Sequence, residues 1–160
     1  MGRELHLKQQ EGDKSVYWIE NWETVKRLEQ QLYLVQTYMN ITALFLDFNM
    51  PKPCFILSNW SLDAMLKAVY MKVRGSVFPP HIFSLEDILE LTYGDQHGES
   101  LEAANLIEAM RMLANCPSIS MQGICPAHLN ILIRHVDQLL CRLSPKVSDS
   151  TEELYQSIFH

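Results

Sequence analysis

A chain of 160 residues fits one domain around a single core, and a hydrophobic content of 48% excludes a largely disordered protein. Thirteen basic against nineteen acidic residues leave a net charge of −6, which argues against a surface given over to gripping phosphate backbones. A local basic patch and occasional nucleic-acid contact stay open. No apolar run reaches the roughly 18 residues of a membrane span.

Residues 1–15 are polar and without periodicity, so they read as a flexible N-terminus lacking the apolar run of a signal peptide. The bundle domain is expected over 16–145, with a helical tail over 146–160. Four cysteines, Cys54, Cys116, Cys125 and Cys141, then read as free buried thiols of a cytoplasmic protein rather than as disulfides.

The first helix is predicted from about Ile19 to Phe48. Val25, Leu28, Leu32, Val35, Met39 and Leu46 recur at three- or four-residue steps, and Leu34, Tyr38, Ile41 and Phe45 widen the stripe. So broad an apolar face implies more than one neighbour. Pro51 and Pro53 should end it.

A second helix, about Cys54 to Arg74, carries Leu57, Trp60, Ala64, Ala68 and Met71 along one side. Gly75 suits a left-handed stop, and Pro79-Pro80 forbids continuation. Ser84 caps a short helix through Leu91, with Asp87 at the third position of a capping box. Residues 92–99 form a turn by composition.

A third long helix is predicted from Ser100 to Asn115 and a last from Pro126 to Leu143, the proline suiting a first turn. Thr151–Phe159 reads as a terminal helical segment. With no alternating strand pattern, the expected fold is all-α: an antiparallel up-and-down four-helix bundle with additional short helices.

Two charged residues stand on the second helix where burial would favour none. Asp63 and Lys67, one turn apart in Ser-Leu-Asp-Ala-Met-Leu-Lys-Ala, can pair, either as a solvated surface salt bridge or as a polar patch that meets a partner or phosphate. Lys72 and Arg74 could extend it. His81 is a candidate acid/base group, or simply a cap on a loop carbonyl. Cys116, Cys125, His128 and His135 are zinc-ligand types, but without paired Cys-x-x-Cys or His-x-x-x-His spacing they assign no metal site. No phosphate loop or catalytic triad order appears, and no cofactor is implied. Trp18, Trp22 and Trp60 could line a pocket, but they read first as filling a core or a dimer seam.

The segment 54–91 resembles the HEPN domain family. Asp63 falls on that family's acidic position in the second helix, Lys67 on its second lysine and Ala68 on the following alanine. Gly75 matches the loop glycine, and His81 with Ser84-Leu85 the start of the short helix. Many members are ribonucleases marked by an arginine and, four to six residues on, a histidine near the start of the last long helix. Here that place holds Cys125-Pro126-Ala127-His128 without the arginine, and Arg134 and His135 are adjacent. The resemblance therefore implies a member without intrinsic catalysis, similar to the substrate-binding partners of minimal nucleotidyltransferases. It implies a binding groove at Asp63, Lys67, Arg74 and His81, a protein or nucleotide partner, and homodimers formed through the long helices. The alternatives are a metal-independent ribonuclease using Arg74 and His81, which are separated by six residues, and a structural or regulatory helical subunit.

Overall fold

The computed structural model describes residues 2–94, 96, 98–117 and 121–160, with side chains from Trp22 onward. It is all-helical, with no strand among the described residues. Five α-helices follow one another: α1 Gly2–Asp47, α2 Pro51–Arg74, α3 Leu85–Leu91, α4 Glu99–Asn115 and α5 Pro126–Leu143, with a 3₁₀ turn at Ser144–Lys146. No described helix is long and apolar enough to cross a membrane.

The helix boundaries follow local chemistry. α1 begins at Gly2, so residues 2–15, expected as part of a loose end, are helical. Its Glu, Lys, Gln and Arg residues have good helix propensity, although no apolar period advertises it. The chain reverses at Asn49, whose φ of 50° is a left-handed value that asparagine tolerates. α2 then starts at Pro51 rather than at Cys54, because a first turn has no use for the missing proline donor.

At the other end of α2, Gly75 takes φ 63° and donates its N–H to the Met71 carbonyl. A Cβ there would meet nothing within 4 Å, so the cost of Gly75→Ala is conformational rather than steric. It is expected to lower stability by about 1 kcal/mol, read as a shifted urea midpoint with unchanged slope. Ser84 and Asp87 form the anticipated capping box of α3: Ser84 Oγ accepts from Asp87 N at 3.1 Å and Asp87 Oδ2 from Ser84 N at 3.2 Å.

α2 is the hub. It packs most extensively on α1, then on α4 and α5, and it also touches α3, whereas α4 and α5 meet at only a few positions. Its Phe55, Leu62, Met65, Leu66 and Val69 are all but fully buried, among Val35 and Met39 of α1, Ile107 and Met110 of α4, and Ile133, Val136 and Leu140 of α5. At about 1.5 Å per residue, the 46 residues of α1 outrun the 24 of α2 nearly twofold, so α2 spans only the second half of α1.

Two lysines tie the shorter helices down. Lys52 Nζ donates to the carbonyls of Ala114, at 2.6 Å, and Cys116, at the end of α4. Lys146 Nζ does the same for Leu91, at 3.3 Å, and Tyr93 after α3. Each ammonium meets orphan carbonyls at the negative end of a helix dipole.

Several sequence expectations are corrected. The four cysteines are free, but only Cys54 is buried, while Cys125 and Cys141 are exposed. Burial pushes the Cys54 thiol up to about 11, and its Sγ donates to the Thr42 carbonyl at 3.7 Å. Trp22 and Trp60 are exposed rather than core, Trp60 stacking at a tilt on Tyr38 with ring centres 5.6 Å apart. Trp18 lies outside the described side chains.

The segment Thr151–Phe159 is not a helix. It is an irregular strap laid along α1 and α5, and from Tyr155 onward its backbone is held by side chains. Ser144 Oγ accepts from Tyr155 N at 2.8 Å, and Gln36 Oε1 accepts from Gln156 N at 2.8 Å while its Nε2 donates to the Gln156 carbonyl at 3.1 Å. The carboxylate of Asp137, buried on α5, accepts from Tyr155 Oη at 2.6 Å, Ser157 Oγ at 2.6 Å and Ile158 N at 3.0 Å.

Candidate functional site

The candidate site grows from the regular spacing of α2. Residues four apart share a face, so Asp63 and Lys67 pair directly, with Lys67 Nζ 2.6 Å from Asp63 Oδ2. Leu62, Ala64, Leu66 and Ala68 on either side turn into the core. The pair therefore stands at the margin of the buried face, partly exposed rather than fully solvated.

Gly75 ends α2, and the loop 76–84 folds back along it toward α3. Pro79 and Pro80 stiffen this return, and it brings His81 alongside the ion pair. His81 walls two recesses. One, of about 380 Å³, lies between α1 and the loop, with Lys67 and Arg27 on its sides. The other, of about 250 Å³, lies toward α4, with Asp63, Trp60 and Arg111. The Asp63–Lys67 bridge thus forms the ridge between two hollows, with a histidine facing both.

Arg27, which sequence reasoning missed, holds the loop in place. One guanidinium nitrogen donates to the Val77 carbonyl at 3.4 Å, another to Glu23 at 2.9 Å, and the group lies over the Phe78 ring, 5.6 Å from its centre. Arg111 is paired with Glu108 at 2.5 Å. Every cation lining the two recesses has its own carboxylate, so the site is a polar surface of balanced charge rather than a concentrated anion trap. Only three-dimensional packing brings Arg27 and Arg111 here, and no spacing in the sequence marks either one.

Three of the four anticipated groove residues come together. Arg74 does not line either recess. It pairs with Glu90 at 2.6 Å and fastens the end of α2 to α3. Lys72 is exposed. Around the hollows the surface is apolar: Phe78 and Ile82 each leave about three quarters of their area in solvent (74% and 76%), and Trp60 half (51%).

Elsewhere, Cys116 follows α4, Cys125 precedes α5, and His128 and His135 are exposed along α5. Among the described residues no group of three or more His, Cys, Asp or Glu side chains is placed to hold a metal ion. No protein-family model matches the chain, and no curated protein or solved structure is significantly similar to it.

Proposed function

We propose that the chain is a non-catalytic, HEPN-like binding module, an antiparallel four-helix bundle whose double recess around Asp63, Lys67 and His81 receives a protein partner. In keeping with the resemblance of residues 54–91, that partner is a minimal nucleotidyltransferase, the module supplying part of its substrate-binding surface. Its setting is the cytoplasm, where free thiols stay reduced. Two copies associate through the outer side of α1, where Tyr33 and Leu44 are exposed, with Phe48 exposed just past its end.

The observation that carries this reading is the pairing of a charge-balanced centre with exposed Phe78, Ile82 and Trp60 at its edge. Aromatic and aliphatic anchors around a few fixed polar groups are the chemistry of a protein interface. Catalysis by a histidine would need a partner group converging on the same point, and Arg74 is drawn away to Glu90. A ribonuclease using Arg74 and His81 therefore receives no support from the geometry.

The test is co-purification with a nucleotidyltransferase, followed by titration of the purified pair. Lys67→Glu sets two carboxylates one turn apart and turns a charge-balanced ridge into a negative one. It is expected to weaken binding at least tenfold, about 1.4 kcal/mol, while the fold survives by circular dichroism. Unchanged affinity in this variant and in Phe78→Ala would remove the recess from consideration.

A further inference from the structure

The charges of the candidate site balance over the ridge as a whole but are sorted between its two sides. Lys67 lines the larger recess, and its partner Asp63 lines the smaller. Around the larger recess stand Arg27 and Lys67, joined by His81 and the amides of Gln30 and Gln31. Among the described residues no carboxylate lines it, since Glu23, the partner of Arg27, lies outside the wall. Each cation keeps N–H donors to spare. Lys67 spends one contact on Asp63, and Arg27 spends its bonds on Val77 and Glu23. The wall is cationic, and one anionic acceptor would complement it.

The smaller recess is built differently. Leu62, Leu66 and Ile107 line it and are at most 2% exposed, so its bottom is the hydrocarbon of the core. Trp60 and Ile82 add exposed apolar wall, and Asp63 and Arg111 are half-buried members of the same lining. Its volume of about 250 Å³ falls below the roughly 300–1,000 Å³ of sites that enclose a whole small ligand. One large side chain fills such a space. Aromatic anchors seated in pockets of this kind carry much of the binding energy at protein interfaces.

We propose that the two recesses read two neighbouring side chains of a protein partner. The larger takes an aspartate or glutamate, and the smaller takes a tryptophan or phenylalanine, with the partner's backbone passing over the Asp63–Lys67 ridge. The carboxylate meets donors from α1, α2 and the 76–84 loop together, and the ring displaces water from an apolar floor. A nucleotide is the poorer occupant, because the aliphatic bottom offers neither donor nor acceptor to a base edge. The proposal rests on the partner-binding reading above and specifies the segment recognised: an acidic residue close to an aromatic one.

The test titrates blocked amino acids into the full, isotope-labelled chain and follows assigned resonances by NMR. N-acetylglutamate α-amide is expected to shift the signals of Arg27, Gln30 and Gln31. Its uncharged analogue, N-acetylglutaminamide, should bind at least about fivefold more weakly. N-acetyltryptophanamide should instead move the methyl signals of Leu62, Leu66 and Ile107. Saturation with one probe should leave the affinity of the other within about twofold. Gln31→Glu places a carboxylate in the larger wall, and it should weaken the acidic probe about threefold while sparing the aromatic one. Trp60→Ala should do the reverse. Probes that do not bind, that share one recess, or that ignore the glutamate charge overturn the proposal. So does AMP that displaces both probes, which would make the occupant a nucleotide. Failure here is distinguishable from failure of the partner assignment. Sorted probes without nucleotidyltransferase co-purification support the recess chemistry and reject only that partner. Co-purification that is sensitive to Lys67→Glu, without sorted probes, overturns only the present inference.

Discussion

Asp137→Ala is expected to free the C-terminal strap and to cost about 3 kcal/mol of stability. One buried carboxylate accepts three hydrogen bonds from Tyr155, Ser157 and Ile158. Removing it leaves a buried phenol and a backbone N–H without acceptors, which is worse than never having made the bonds. Limited proteolysis should cut the variant within 149–160 long before the helices, and hydrogen exchange should rise first at Ile158. Equal protease resistance in variant and parent would show that the strap is held by something else. The same clasp has an alkaline limit. Burial first, and then the Asp137 carboxylate that accepts its proton, raise the Tyr155 hydroxyl above its ordinary value. A raised folded value means the contribution is complete below the unfolded tyrosine value of about 10 and declines as the pH climbs past it. Strap release should therefore appear on the alkaline side.

Phe55→Ala should damage the fold as a whole. Phe55 lies on α2 with no exposed surface and is among the largest fully buried side chains. Deleting its ring opens a cavity at the helix that all the others pack against. The expected loss is about 4 kcal/mol, a drop in Tm of about 10 °C, measured by calorimetry. Against a total of about 5–15 kcal/mol for a typical domain, that is a large fraction. Trp22→Ala is the control, since that side chain is 70% exposed and should move Tm by no more than a degree or two. Comparable losses from the two would mean that α2 is not the centre of the core.

What the sequence reveals of this fold is what local chemistry decides. The capping box at Ser84, the glycine stop at 75 and the proline start at 126 depend on residues within one turn, and each lies where the pattern puts it. The strap was illegible for the opposite reason. The groups that satisfy its backbone lie up to 120 positions away, on Gln36, so neither propensity nor period over 151–159 reports them. The lysine caps at 52 and 146 are hidden in the same way, being 62 and 55 positions from the carbonyls they meet. In the candidate site, Asp63 and Lys67 follow from helical spacing, and His81 follows from the return of the chain after Gly75. Arg74 looked equivalent to them. Its pairing with Glu90 could not be seen until α3 was laid across the end of α2.

The central position of α2 has a consequence for synthesis. Both α1 and α2 leave the ribosome before α4 and α5 exist, and Leu62 and Leu66 face a space that Ile107 will later border. The nascent hairpin thus carries a bare greasy flank until the second half is translated. That interval is when a chaperone, or a sister chain on the same message, has its best opportunity to engage it.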